Sequence, residues 1–214
     1  VGGVGGYAAE ALARAGVGRV TLVDADTVSP SNLNRQLVAL GSTLGRGKAE
    51  VMAERIRDFA PEVQVTALKR FHLPEAPVPI PEDVDYVLDA VDTVAAKLDL
   101  ILTCRARGIP IVSCMGMGNR LDPTRVRVGE LFDTSGCPLC RAMRRELRKC
   151  GVESLRCVYS EEPARTPQYD EGDAELKAGR SAPGSICYVP ATAGLYLAHE
   201  AVRALSEPFL DKKR

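Results

Sequence analysis

The run Val1-Gly2-Gly3-Val4-Gly5-Gly6 constrains this chain more than any other stretch, because glycines packed this densely serve a backbone that must pass close to something. Directly after it, residues 7–15 space apolar side chains along one helical face (Ala8, Leu12, Ala15) and stop at Gly16, as a glycine-capped helix does. The run Arg19-Val20-Thr21-Leu22-Val23-Asp24 is then short, β-branched and ends in an acid. A glycine loop that opens a helix aims free N–H groups and the positive end of the helix dipole at a phosphate. An acid closing the next strand, about twenty residues on, can hold a ribose hydroxyl. Such loops follow the first strand of a βαβ unit. A strand is therefore expected ahead of Val1, with a glycine that completes G-x-G-x-x-G together with Gly2 and Gly5, and the 214 residues read as a domain lacking its first strand.

The alternation of strand and helix continues. Lys48–Phe59 is a second amphipathic helix closed by Pro61, and 63–68 alternates as a strand. Residues 84–90 form a buried-type strand, 93–108 a helix and 109–113 the next strand. From Gly116 onward the pattern breaks into loops, a basic helix over Pro138–Lys149, and a charged segment over 160–185 that reads as a mobile crossover. The expected fold is α/β: a doubly wound, Rossmann-like, mostly parallel sheet whose later strands run antiparallel, in one domain over 1–214.

Composition removes several classes of function. Lys and Arg (28) balance Asp and Glu (28), so no whole-chain field draws the protein to a polyanion or a membrane, and any nucleic-acid contact must be local. The most apolar late stretch, 186–205, carries His199, Glu200 and Arg203, charges that a bilayer interior would penalise, so it reads as a buried or docking helix and not a membrane segment. Seven scattered cysteines, an odd number without a secretory signal, fit free thiols in the cytoplasm.

On the glycine loop and Asp24 alone, a dinucleotide-binding dehydrogenase fits as well as an ATP-using enzyme. The following run, Asp24-Ala25-Asp26-Thr27-Val28-Ser29-Pro30-Ser31-Asn32-Leu33-Asn34-Arg35-Gln36, shifts the balance. It places Asn, Arg and Gln where a dehydrogenase usually continues into a helix. Arg35 can fork onto phosphate oxygens and Lys48 adds a point charge, a set suited to a triphosphate. Leu88-Asp89-Ala90-Val91-Asp92 ends a strand with acids at the carboxyl edge of the sheet, where ligands of such folds bind and a carboxylate can hold magnesium.

The glycine loop, the D-x-D-x-V-x-x-S-N-L-x-R-Q run, Gly45 to Lys48 as G-x-x-K, and Asp89 to Asp92 as D-A-x-D together resemble the adenylation motifs of the ubiquitin-activating-enzyme superfamily. In the second half, Met115-Gly116-Met117-Gly118-Asn119-Arg120-Leu121-Asp122-Pro123-Thr124, Cys137-Pro138-Leu139-Cys140-Arg141, Cys157-Val158-Tyr159-Ser160-Glu161 and Gly184-Ser185-Ile186-Cys187-Tyr188-Val189-Pro190-Ala191 resemble the tRNA threonylcarbamoyladenosine dehydratases. That resemblance implies ATP and Mg2+ as cofactors and a tRNA substrate. A carboxylate on a modified tRNA adenosine becomes an acyl adenylate, and a ring then closes.

The resemblance further implies that Gly2, Gly3 and Gly5 cradle the nucleotide and Asp24 holds the ribose. Asp26 and Gln36 are expected in the same pocket. Asn32, Arg35 and Lys48 are expected on the phosphates, and Asp92 on magnesium and the reacting phosphate. Arg35, Lys48 and Asp92 are thus the expected catalytic residues. A homodimer is implied, and a cysteine desulfurase or sulfur acceptor is a possible partner. The alternative activity is adenylation of the C-terminus of a ubiquitin-like sulfur carrier; those relatives usually carry two C-x-x-C pairs, and this chain has one. A third reading keeps the fold as a binding module without activity, but Asp24, Arg35, Lys48 and Asp92 are all present.

Blander readings stand beside several of these. Cys137 and Cys140 lack the second ligand pair that a closed zinc site needs, so a core contact at a helix start is expected. Cys157 lies where thioester- or persulfide-forming relatives carry a reactive thiol, and it reads equally as an inert core cysteine. Arg141, Arg144, Arg145, Arg148 and Lys149 give one helix a basic face for tRNA phosphates, or a solvated face balanced by Glu146. His72 and His199 have no partner at a telling spacing and are expected to be structural or exposed.

Overall fold

The computed structural model describes residues 1–166 and 184–210. Of the expected crossover over 160–185, residues 167–183 lie outside the described residues. Helix α1 (Gly5–Arg14) leads into β1 (Arg19–Val23), and α2 (Lys48–Phe59) into β2 (Gln64–Leu68). Next come β3 (Val87–Asp89), α3 (Val94–Ala106), β4 (Ile111–Cys114), β5 (Val126–Glu130), α4 (Pro138–Lys149), β6 (Arg156–Ser160) and α5 (Tyr188–Leu210). Strands β1 and β2 pair in parallel; β3, β4 and β6 are also parallel, and β5 closes that group antiparallel to β6. This is the mostly parallel α/β fold with a late antiparallel strand that the βα alternation predicts.

Local chemistry explains the element ends. Gly16 adopts φ +83°, the left-handed conformation that lets the chain leave α1 without a Cβ clash, and Val17 N–H returns to the Leu12 carbonyl at 3.2 Å. Thr93 and Cys137 are the extended residues ahead of α3 and α4, and Pro138 takes the first turn of α4, where its missing N–H costs nothing. Strand β3 is shorter than the 84–90 run, its pairing beginning where Val87 N–H meets the Pro110 carbonyl at 2.9 Å.

Two strands fall where the sequence reads as loop. Strand β5 carries Gly129, weak in a strand by itself, but the Tyr159 ring of β6 lies over it: a Cβ there would come within 3.3 Å of that ring. An aromatic fills the space the glycine leaves, which is a tertiary effect and not a local propensity.

The core divides by layer. Residues of α1, β1 and α2 form one apolar cluster, including Met52 and Ile56. The start of α4 packs with β6 and α3 in a second, including Met143, Leu147 and Ile101. Helix α5 lies over β4, β5 and β6 through Val189, Ala193 and Leu197. No helix among the described residues is long and apolar enough to cross a membrane.

Candidate functional site

The glycine loop is walled by groups from three distant parts of the chain. A Cβ at Gly3 would lie 3.4 Å from Arg35 Cγ and 3.4 Å from Pro190 Cβ; one at Gly5 would lie 3.5 Å from Ala90 Cβ; and one at Gly2 would lie 3.8 Å from Gln36 Nε2. The loop is thus brought against the Arg35-Gln36 pair, the Asp89-to-Asp92 turn and the first turn of α5 at ordinary packing distance. The N-terminus of α1 presents its unpaired donors here, as a phosphate requires.

Asp24 follows β1 directly, and Asp26 N–H donates to its carboxylate Oδ1 at 2.8 Å. Asp26 in turn accepts from Lys48 Nζ at 2.8 Å, while Lys48 N–H donates to the Asp26 carbonyl at 3.0 Å. Lys48 is the first residue of α2, where a cation opposes the helix dipole, and its side chain is only 7% exposed. A lysine kept in so unfavourable a place, with one carboxylate for company, fits a second anion arriving during function.

Asn32 is buried and spends its Oδ1 on Ser29 N–H at 3.1 Å, capping the short turn Pro30–Asn32. Arg35 donates through Nη1 to the Ser31 carbonyl at 2.7 Å and to Asn34 Oδ1 at 3.0 Å. Buried Gln36 leaves Oε1 without a hydrogen-bond partner among the described residues. A buried acceptor left open beside a phosphate loop is a group that awaits a donor.

The two acids of the D-A-x-D motif part company. Asp92 is exposed and its one side-chain partner among the described residues is Thr93 Oγ1, at 3.3 Å. Asp89 is fully buried, accepting from Lys97 Nζ at 2.8 Å and Ser113 Oγ at 2.5 Å, with Val91 N–H on its other oxygen at 3.0 Å. It anchors β3 to α3 and β4 and sets the turn that carries Asp92. Sequence reasoning missed Lys97 and Ser113. The signal was there for the lysine: Lys97, Ile101 and Cys104 form one apolar-spaced stripe of α3, and a lysine within such a stripe needs a buried anion.

Other expectations resolve against function. Cys157 is fully buried in β6 and burial pushes its thiol up to about 12, the condition of an inert core cysteine and not of a nucleophile. His72 accepts Val78 N–H at Nδ1 (3.2 Å) and faces Asp99 through Nε2 (2.8 Å), a structural bridge, and His199 is exposed on α5. Cys137 and Cys140 are buried at the start of α4, and among the described residues no group of three or more His, Cys, Asp or Glu could hold a metal. On α4, Arg144 is spent on Thr134 and the Leu131 carbonyl, and Arg145 and Lys149 pair with Glu146 at 2.7 Å each. Arg141 and Arg148 are exposed without an ion pair among the described residues, so the basic face is narrower than the count of five cations implies.

The chain carries a loop of glycines, an acid after β1, a buried lysine opening α2 and an exposed acid after β3, and a family model describing ThiF proteins matches residues 1–213. The chain belongs to the ThiF family. It is 40% identical to a tRNA threonylcarbamoyladenosine dehydratase of Bacillus subtilis (strain 168), over 96% of this chain and 84% of that protein. The crystal structure of the Escherichia coli tRNA N6-threonylcarbamoyladenosine dehydratase in complex with ATP superposes with a TM-score of 0.84 at 36% identity, covering 99% of this chain and 85% of that one. The molybdopterin-synthase adenylyltransferase of Escherichia coli (strain K12) is 33% identical over 74% of this chain and 60% of that protein. This ThiF-family chain is thus similar to the Bacillus subtilis dehydratase at higher identity and over more of its length than to the molybdopterin-synthase adenylyltransferase.

Proposed function

We propose that this ThiF-family protein is an ATP-dependent tRNA threonylcarbamoyladenosine dehydratase. The observation that carries the reading is the convergence of Gly3, Arg35 and Pro190, because it joins the superfamily's nucleotide motif to the late segment that resembles the dehydratases. In this reading Gly2, Gly3 and Gly5 and the N-terminus of α1 receive the phosphates, and Asp24 holds the ribose. Asn32, Arg35 and Lys48 contact phosphate oxygens, with Lys48 exchanging Asp26 for the nucleotide, and Gln36 lines the same pocket with its open Oε1. Asp92, an exposed carboxylate with hard oxygen donors, suits Mg2+, which keeps most of its waters and takes few protein ligands. When bound, that ion would neutralise charge on the phosphates.

The chemistry is positional. The threonyl carboxylate oxygen attacks the α-phosphorus of ATP, the bond to the β-phosphate oxygen breaks and pyrophosphate leaves. A neighbouring group of the same modification then attacks the acyl carbon, a ring closes and AMP departs. The chain's part is to hold the α-phosphorus in line with the carboxylate and to stabilise charge on the leaving oxygens. Arg141 and Arg148 are the cations of α4 available for tRNA phosphates. Exposed Leu195 and Tyr196 on α5 supply apolar surface for a homodimer. A cysteine desulfurase or sulfur acceptor has less support, since Cys157 is buried.

The test is pyrophosphate release from ATP with threonylcarbamoyl-modified tRNA in one reaction and a ubiquitin-like sulfur carrier in another. Turnover with the tRNA, together with a cyclised product, is expected. Turnover with the carrier alone would replace this reading with the adenylyltransferase one.

A further inference from the structure

The turn from Asp89 to Thr93, which joins β3 to α3 and carries Asp92, is held at both ends by one residue. Lys97 is 0% exposed; its Nζ donates to Asp89 Oδ2 at 2.8 Å, and its own N–H donates to the Thr93 carbonyl at 3.0 Å. Ser113 stands level with Asp89 across the parallel ladder of β3 and β4. Its hydroxyl donates to the same Oδ2 at 2.5 Å and lies 3.3 Å from Lys97 Nζ. The other oxygen, Oδ1, accepts Val91 N–H at 3.0 Å, so the free side of the carboxylate folds the turn. Within the turn, Ala90 Cβ would lie 3.5 Å from a Cβ at Gly5, which sets the turn against the glycine loop.

Stability alone does not account for this arrangement. Taking a lysine and an aspartate out of water costs about as much as their attraction returns, and well-packed apolar side chains of the same volume serve a core as well or better. What the ion pair supplies, and an apolar pair does not, is direction. A carboxylate with both oxygens committed holds one orientation, and that orientation presents Oδ1 to Val91. Asp92 has no such anchor of its own: it is exposed, and its side-chain partner among the described residues is Thr93 Oγ1 at 3.3 Å. Because an aspartate side chain is short, the place its oxygens reach is set by the backbone beneath it.

We propose that Lys97 is a positioning residue for the adenylation step: through Asp89, and with Ser113, it fixes the 89–93 turn so that the Asp92 carboxylate stands at the phosphates of ATP. The inference rests on the proposed role of Asp92. Lys97 touches neither nucleotide nor acyl substrate, so its contribution is to rate and not to affinity. A turn free to move leaves the glycine loop, Asp24, Arg35 and Lys48 to bind ATP, while a misplacement of about 1 Å at the reacting centre costs about 100-fold in turnover.

The test compares the full-length parent, Lys97→Met, Asp92→Ala and the double variant, each assayed below its own thermal midpoint with folding followed by circular dichroism. Pyrophosphate release is measured with whichever substrate, modified tRNA or sulfur carrier, the parent turns over, so failure of the tRNA reading shows in the parent before any variant is compared. ATP affinity is read by calorimetric titration. Lys97→Met should lower kcat by about 10–100-fold, the usual effect of removing a group that orients a metal ligand, with ATP affinity little changed. In the Asp92→Ala background the same substitution should add little further loss, because the two act through one group. A crystal structure of Lys97→Met should show the 89–93 turn displaced by about 1 Å or more. Should Lys97→Met fail to fold, Ser113→Ala removes one donor to Asp89 and no charge, and should give the same pattern at smaller size. Near-normal kcat in the folded variant, a loss that multiplies in full with that of Asp92→Ala, or an unmoved turn would overturn the proposal. Near-normal kcat in Asp92→Ala alone would overturn the role of Asp92 and this proposal with it.

Discussion

Replacing Lys97 with methionine isolates the contribution of the buried pair beneath the nucleotide edge. Methionine matches the length of the lysine stem and removes its charge, so packing changes little while the Asp89 carboxylate loses its only cation among the described residues. Ser113 Oγ and Val91 N–H remain as donors. Breaking one side of a buried ion pair costs about 3–5 kcal/mol, against a whole-domain stability of about 5–15. For a chain of this size each kilocalorie moves the midpoint by about 2–4 °C, so a fall of about 6–20 °C is expected by calorimetry. The companion variant Asp89→Asn removes the charge that Lys97 balances, and the double variant removes both. If the cost comes from an uncompensated buried charge, the double variant should be more stable than the two single losses sum to, by at least about 1 kcal/mol. Additive losses, or a drop below about 1 kcal/mol for Lys97→Met, would refute the reasoning and make the pair a bystander.

Asp92→Ala should cut pyrophosphate release by about 100-fold or more while ATP affinity, read by calorimetric titration, changes little; Lys48→Ala should weaken both. Gly194→Ala should destabilise the protein by about 1–3 kcal/mol in denaturant unfolding and weaken ATP binding, since the added Cβ would lie 2.9 Å from Tyr7 Cβ and 3.0 Å from Ala8 N, closer than such atoms pack. Buried Glu200 is raised by burial but lowered further by its hydrogen bond and charge contact with Arg156, and by Arg203, so its carboxyl sits below the usual 4.5. A depressed folded-state value means stability present above the unfolded value and lost as pH falls through the folded one. Acid unfolding of Glu200→Gln, followed by circular dichroism, should accordingly be flatter below about pH 4.5 than that of the parent.

The residues proposed for the nucleotide edge stand out in the sequence because each follows a local rule. A run of glycines, an acid ending a strand, and a cation opening a helix are visible within a few residues of sequence, and Lys48–Phe59 and Pro138–Lys149 form helices over the ranges their periodicity predicts. What stayed hidden depends on partners far along the chain. Strand β5 is held by the Tyr159 ring over Gly129 and by its ladder to β6, not by its own propensity. Counting cations on α4 overstated its free charge, because Glu146 and the Thr134 turn occupy three of the five, and sequence spacing shows only the first of those contacts. Position alone left Cys157 open between a reactive thiol and an inert core cysteine; its burial, which pushes the thiol up to about 12, supports the inert reading.

The same distance governs the phosphate loop itself. Gly3 is bounded by Arg35 from one side and Pro190 from the other, and Gly194, one turn further along α5, lets that helix settle onto the backbone of Val4, which a Cβ there would approach to 2.3 Å. Segment 184–185 is tied down in turn, with Asn34 Nδ2 donating to the Ser185 carbonyl at 2.8 Å and Asn119 N–H to the Gly184 carbonyl at 2.7 Å. The late helix therefore packs directly on the glycine loop and the start of α1. Asn34 and Asn119 connect the Arg35 run and the Met115-to-Thr124 segment to the entry of that helix. A sequence motif of six residues thus packs against a helix that starts almost two hundred residues later, a contact that local sequence spacing does not show.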